Sequence, residues 1–281
     1  MLEYVLRGLL NGAVYALLAL PMTLFFTTAA TVDFAIGAYA LLAAAVATAI
    51  PGFGGLLAGL GSAVGASCVM AIIYVLLKRT SKQTITVALA SFGLSLAISS
   101  IVLMVWGTKP FVRDTFTTMI EFRGLRLNPQ SLINVAVSIT LVATTWVVLQ
   151  RTQLGRMMRA AAVNPVGAEL AAIPVIGVQC GTLAAGGLLG GIAGLLILHS
   201  SGMDFTAPLS LTFIGFAAAI ILGIHSPVRC LGGGLAIGAI EALSAGYTSG
   251  MVTSMVPSLF TLLVLLAGSQ LGARSYSGDR P

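Results

Sequence analysis

Residues 34–77 read FAIGAYALLAAAVATAIPGFGGLLAGLGSAVGASCVMAIIYVLL, 44 consecutive positions without Asp, Glu, Lys or Arg. A helix needs about 20 apolar residues to cross the hydrocarbon core of a bilayer. The stretch therefore holds two crossings, and Pro51-Gly52-Phe53-Gly54 supplies the turn between them. Six further charge-free intervals flank it, at 8–32, 83–108, 127–150, 170–203, 205–228 and 242–273, and with it they cover 209 of the 281 residues. Only 8% of the chain is charged, against about 25% in a soluble domain. An ordinary soluble enzyme is excluded. The expected fold is all-α: a polytopic transmembrane bundle of 8–10 spans forming one integral membrane domain over 1–281, with a cytoplasmic loop at about 150–172.

Charges, glycine and proline place nine spans, at about 8–28, 34–50, 54–77, 83–106, 131–149, 173–198, 210–224, 231–247 and 255–271. The threonine-rich segment 22–33 is a candidate for a separate broken or re-entrant piece. The net charge of +6 comes from basic residues lying between apolar segments, which fits topology. No basic stripe with interleaved aromatics suggests nucleic acid. If Lys78–Lys82 faces the cytoplasm and the spans alternate, Arg151, Arg156, Arg159, Arg229, Arg274 and Arg280 are inside with it. Arg7, Lys109, Arg113, Arg123 and Arg126 are then outside. The last four share the loop 107–130, read as a partner-docking segment or as a solvated connection with a short interfacial helix. The N-terminal MLEYVLR lacks the positive region of a secretory signal, so the first segment is expected to be retained. His225 is assigned to the turn at Ser226-Pro227. Cys68, Cys180 and Cys230 are far apart and read as small buried hydrophobes, not as a metal site.

Glycine pairs four apart recur: Gly8/Gly12, Gly55/Gly59, Gly61/Gly65, Gly186/Gly190, Gly187/Gly191, Gly190/Gly194 and Gly234/Gly238. Such spacings let helix backbones approach closely in a membrane. Gly234, Gly238, Glu241 and Ala245 form one helical stripe, which turns Glu241 into the bundle as a pathway residue or a structural pin. A carboxylate at the bilayer centre costs on the order of 2.5–3.5 kcal/mol, so it marks a site by default. Asn11 and Tyr15 form a polar pair on the first segment, Pro21 is expected to kink it, and Asp33 is either a surface cap or a break inside the bundle. Asn11 through Asp33 is accordingly a candidate pathway lining.

The loop after the fifth span, RTQLGRMMRAAAVNPVGAELAAIPV, suggests an amphipathic helix interrupted at Asn164-Pro165 and a further turn, a candidate docking surface for a cytosolic partner. There is no GxSxG elbow, HExxH, P-loop or dinucleotide fingerprint. No catalytic, metal or cofactor site is expected, and an ATP-driven step must come from another subunit.

Four stretches together carry a family resemblance: Asn11-Gly12-Ala13-Val14-Tyr15-Ala16-Leu17 with Asp33-Phe34-Ala35-Ile36-Gly37; Arg151–Arg156 with Arg159-Ala160; Asn164-Pro165 with Ala168; and Leu222-Gly223, Ser226-Pro227, Gly232-Gly233-Gly234, Gly238 and Glu241-Ala242-Leu243. The set resembles the branched-chain amino acid ABC transporter permeases of the LivH/LivM type. The resemblance implies a permease in the bacterial inner membrane that pairs with a second, similar or identical permease, two cytosolic ATPases and an external solute-binding protein. It implies that Gly155, Arg156, Arg159, Ala160, Asn164 and Ala168 belong to the ATPase-coupling loop. The pathway candidates are then Asn11, Tyr15, Asp33, Phe34 and Glu241. The implied cargo is an amino acid, most simply a branched-chain one, with urea or short amides as an alternative solute. Asp33 stands where the family usually has Asn, Pro21 and Thr27 stand where it commonly has Gly, and the turn 223–226 is short. An added carboxylate at Asp33 points to a cationic or amide-like solute. A self-contained carrier or channel using Asp33 and Glu241 as ion sites is the reading from another class.

Overall fold

The structure is a computed structural model that describes residues 2–77, 83–113, 120–122, 125–224 and 226–247, with positions 259 and 262. Its elements are α1 (Leu2–Ala29), α2 (Ile36–Ala49), α3 (Phe53–Leu77), α4 (Gln83–Trp106), β1 (Ile120–Phe122), β2 (Leu125–Leu127), α5 (Pro129–Arg151), α6 (Gln153–Val163), α7 (Pro165–Leu170), α8 (Val175–Ser200), α9 (Ala207–Ile221) and α10 (Pro227–Tyr247). Helices α1, α3, α4, α5, α8 and α10 are long and apolar enough to cross a membrane, and α2 and α9 are shorter apolar helices. Eight of the nine expected spans are thus helical. The ninth, 255–271, lies outside the described residues except at 259 and 262. The chain is a polytopic all-α membrane protein.

Helices α1 and α8 are central, each 72% buried over its most apolar window, whereas α3, α4, α5 and α10 reach only 28%. The short α2 is sunk between α3, α8 and α9. Glycine on α8 makes this possible. A Cβ added at Gly187 would lie 2.8 Å from the Ala63 carbonyl oxygen of α3, and one at Gly190 would lie 3.3 Å from the Ile36 carbonyl oxygen of α2. The outer helices turn large apolar side chains outward, among them Ile72, Leu76, Leu89 and Met104. Hydrocarbon is the solvent that such a surface requires. Gly61 and Gly65 also face outward, with no atom within 4 Å of an added Cβ. Among the described residues that pair meets no other helix.

Three expectations are corrected. The segment 22–33 is not a separate piece, because α1 runs unbroken through Pro21 to Ala29. Its threonines bond back along the helix, Thr23 to the Ala19 carbonyl at 3.1 Å and Thr28 to the Leu24 carbonyl at 2.9 Å. Their hydroxyls are satisfied without unwinding. The loop 107–130 contains an antiparallel hairpin, β1 paired with β2, where an interfacial helix was one expectation. Residues 114–119, 123 and 124 of that loop lie outside the described residues. Finally, of the three free cysteines only Cys230 is buried; Cys68 is exposed on the outer face of α3.

Hydrogen bonds define two ends of the bundle. At one end Phe111 and Met203 exchange backbone bonds of 2.7 and 2.8 Å, and Arg113 Nη1 donates to the Ala47 carbonyl at 3.0 Å. This ties together the ends of α2, α4 and α8. At the other, Gln179 Nε2 of α8 donates to the Thr28 carbonyl of α1 at 3.3 Å, and Thr31 Oγ1 donates to the Thr84 carbonyl of α4 at 3.2 Å. Helices α6 and α7 join this second end beside the start of α8. Arg151, Arg156 and Arg159 are therefore at the end opposite Lys109 and Arg113. Lys78, Arg79, Lys82, His225, Arg274 and Arg280, together with the side chain of Arg7, lie outside the described residues.

Candidate functional site

The seam between α1 and α10 is built backbone to backbone. A Cβ added at Gly12 would lie 2.7 Å from the Gly234 carbonyl oxygen, and Gly8 meets Gly238 in the same way one turn along. Two of the glycine spacings seen in the sequence are therefore the two sides of one contact. The close approach brings the Tyr15 hydroxyl and the Glu241 carboxylate near enough to interact electrostatically. The second carboxylate oxygen, Oε2, is buried and has no partner among the described residues. Ala245, expected on the same stripe, is exposed beyond the contact.

Tyr15 also lines a cavity of about 150 Å³ with Asn11 and Val14 of α1, Ser200 at the end of α8, Ser201 just after it, and Leu211 of α9. Asn11 is exposed toward it and Tyr15 is half-buried. Its lining mixes polar side chains, Asn11, Tyr15, Ser200 and Ser201, with apolar ones, Val14, Ile197 and Leu211. Ser200 and Ser201 were missed in the sequence, although they precede Gly202, which sits at φ 75°. A small-polar pair before a turn glycine at the end of a long apolar segment was the available signal.

Asp33 and Phe34 form a separate node. Of the two readings for Asp33, the break inside the bundle holds. Its carboxylate is buried and accepts from the Ala35 amide at 2.8 Å and from the Tyr39 hydroxyl at 3.0 Å. Neighbouring helices supply further partners to this backbone. The Phe34 amide donates to Ser91 Oγ of α4 at 2.9 Å, and the Gly37 amide donates to Thr212 Oγ1 of α9 at 3.0 Å. Thr212 Oγ1 in turn donates to the Phe34 carbonyl at 3.3 Å. Irregular backbone at membrane depth survives only with such partners. The Phe34 ring packs on Phe216 with centroids 5.6 Å apart. Fourteen residues of α1 separate Tyr15 from Ala29, about 21 Å of helix. The five pathway candidates thus fall into two groups: Asn11, Tyr15 and Glu241 near one end, Asp33 and Phe34 toward the other.

The stretch 152–174 forms two helices that meet at Asn164-Pro165. Thr152 caps α6, its Oγ1 accepting from the Gly155 amide at 3.3 Å. Gly155 is buried against the backbone of Leu149, where no side chain fits. Arg159 Nη1 donates to the Leu149 carbonyl. Asn164 caps α7 through its Oδ1, which accepts from the Gly167 amide at 3.0 Å, with Pro165 in the first turn. Ala168 is buried with Ala161 and Val175, and Ala160 packs on that cluster. Gly155, Arg159, Asn164 and Ala168 therefore shape the helix pair. Arg156 is exposed. On the same helix pair the large apolar side chains of Leu154, Val163, Val166 and Leu170 are exposed as well, the last at 86%. That apolar patch was not read from the sequence, because each residue alone resembles part of a membrane-facing pattern.

Among the described residues no group of three or more His, Cys, Asp or Glu is placed to hold a metal ion. Residues 4–267 match the family described as branched-chain amino acid transport system / permease component. A relative from Methanocaldococcus jannaschii, "Probable branched-chain amino acid transport permease protein LivH", is 26% identical over 290 aligned positions, covering 92% of this chain and 90% of its own length. The match to the family spans nearly the whole chain, including both groups of pathway candidates and the α6–α7 pair, and on that ground the protein belongs to the branched-chain amino acid transport permease family.

Proposed function

We propose that the protein is the membrane-spanning subunit of an ATP-driven importer of amino acids, branched-chain ones first among them, in the bacterial inner membrane. It performs no covalent chemistry. Its partners in this reading are a second permease, similar or identical, cytosolic ATPases and an external solute-binding protein. The α6–α7 pair receives the ATPase, and its displacement switches which end of the bundle is open. The observation that carries this reading is the pair itself: two capped helices at one end of the bundle, on which Leu154, Arg156, Val163, Val166 and Leu170 are all exposed. An exposed apolar patch rimmed by charge is the usual form of a protein contact. At the opposite end, the cavity beside Asn11 and Tyr15 is where solute enters, and the loop 107–130 meets the binding protein.

Co-purification tests the central partnership. The permease expressed with its genomic neighbours is expected to carry ATPase subunits through purification, and Leu170→Asp is expected to release them while the permease stays folded. Retention of the ATPases by that variant, with those at Val163 and Val166 also silent, counts against the surface.

The Tyr15–Glu241 pair favours one other reading, a self-contained carrier that moves an ion with its solute. A carboxylate oxygen without a partner inside a bundle is suited to binding a cation or a proton. Uptake driven by an ion gradient with no ATPase present supports that reading and excludes the importer.

A further inference from the structure

A groove of about 630 Å³ lies between α1, α5, α6 and α8, at the end of the bundle that carries α6 and α7. Leu24, Leu141, Val148, Met157, Leu188 and Leu189 are among its lining residues. Two of the three threonines that also line it present little polarity. Thr144 Oγ1 donates to the Thr140 carbonyl at 2.8 Å and Thr182 Oγ1 to the Val178 carbonyl at 2.9 Å, so their hydroxyls bond to their own helices. Water entering the groove finds few partners, and buried water needs two to four. An apolar cavity of about 150 Å³ holds one benzene. This groove has roughly four times that volume, room for a long hydrocarbon chain.

Its length and its mouth narrow the choice. Along α5 the lining runs from Leu141 to Val148, seven residues or about 10 Å, and along α8 from Pro174 to Leu189, fifteen residues or about 22 Å, against a hydrocarbon thickness of about 30 Å. The groove-lining positions on α5, Leu141, Thr144, Thr145 and Val148, repeat at helical spacing, and the next position on that face is Arg151. Arg151 is exposed at the α5 terminus, where a leaflet's phosphates lie.

We infer that the groove binds one acyl chain of an anionic phospholipid from the leaflet on the α6–α7 side, with the head-group phosphate at Arg151. The chain fills the space between α6 and the spanning helices, so the lipid steadies α6 against the bundle. Occupancy depends on the membrane-spanning fold and not on ATP-driven transport, so the two can fail separately.

Native mass spectrometry of the protein released from vesicles of equal phosphatidylcholine and phosphatidylglycerol tests this. The wild type is expected to retain one lipid per chain, with phosphatidylglycerol favoured about fivefold, the factor that matches about 1 kcal/mol for one basic residue at the surface. Arg151→Ala is expected to bring the ratio close to one while a lipid is still retained. Gly181→Leu is expected to abolish retention of both lipids. An added Cβ at Gly181 meets no atom within 4 Å, so the side chain grows into the groove without disturbing the helices. Gly177→Leu, where the nearest atom is 3.7 Å away on Pro174, is the second filling variant if the first does not fold. Retention unchanged in a folded filling variant, or unchanged selectivity in Arg151→Ala, overturns the inference. So does a wild type without bound lipid whose self-association is lost in Gly181→Leu, since a second copy then covers the groove.

Discussion

Tyr15 of α1 interacts with Glu241 of α10 across a seam in which Gly12 meets the Gly234 backbone directly. The contact explains how a carboxylate is held inside a span. Glycine on both helices removes the side chains that would separate them, and the phenol then reaches the acid. The pair lies beside the cavity that Asn11 and Tyr15 share with Ser200 and Ser201.

Tyr15→Phe removes the hydroxyl that faces a half-buried carboxylate. An unsatisfied buried polar group costs about 1–3 kcal/mol, so the thermal midpoint of the purified protein is expected to fall. Replacing both partners by apolar groups is close to neutral. The double variant Tyr15→Phe/Glu241→Leu is therefore expected to recover most of the loss. Additive losses in this cycle would show that the two side chains are not coupled.

Gly12→Leu and Gly234→Val are expected to abolish the folded protein in membranes, since each places a side chain where backbone already lies within 3 Å. Gly61→Ala is the matched control. With nothing within 4 Å of its added Cβ, it is expected to be neutral or to stabilise by about 0.5–1 kcal/mol through helix propensity. Size-exclusion profiles of tagged variants distinguish the two classes.

At Asp33 both carboxylate oxygens are engaged, by Ala35 and Tyr39. Asp33→Asn keeps an acceptor for the Ala35 amide and is expected to leave folding and solute preference unchanged. Asp33→Ala loses both bonds and is expected to lower the thermal midpoint substantially. Competition assays with cationic and branched-chain amino acids check the first expectation. A preference that shifts in Asp33→Asn would instead put this residue on the solute's route.

Much of this arrangement was legible from where charge is missing. The boundaries of α3 and α4 follow Pro51-Gly52 and the basic run 78–82 within a residue or two. Gly8/Gly12 and Gly234/Gly238 were visible as spacings, but not as partners, since one sequence does not say which helices touch. Gly61/Gly65 has the same spacing and faces outward, because spacing alone carries no direction. The threonines of 22–33 suggested a break that their own hydrogen bonds to the preceding turn prevent. The real break, 30–35, depends on Ser91 and Thr212, far away in sequence. Ser200 and Ser201 acquire meaning only when α8 brings them to Asn11.

On the α6–α7 pair, Val163→Asp and Val166→Asp alter exposed side chains and leave the caps at Thr152 and Asn164 intact. Each is expected to keep the thermal midpoint within about 0.5 kcal/mol of wild type while reducing transport-coupled ATP hydrolysis by tenfold or more. A loss of stability equal to the loss of activity would mark the pair as packing and not as a coupling surface.

The most direct measurement is uptake of labelled leucine into proteoliposomes that hold the permease, its genomic-neighbour ATPases and the binding protein. Accumulation is predicted to require enclosed ATP and the binding protein, and to disappear with Val163→Asp. Accumulation in vesicles that contain the permease alone, driven by an ion gradient without ATP, would contradict the account.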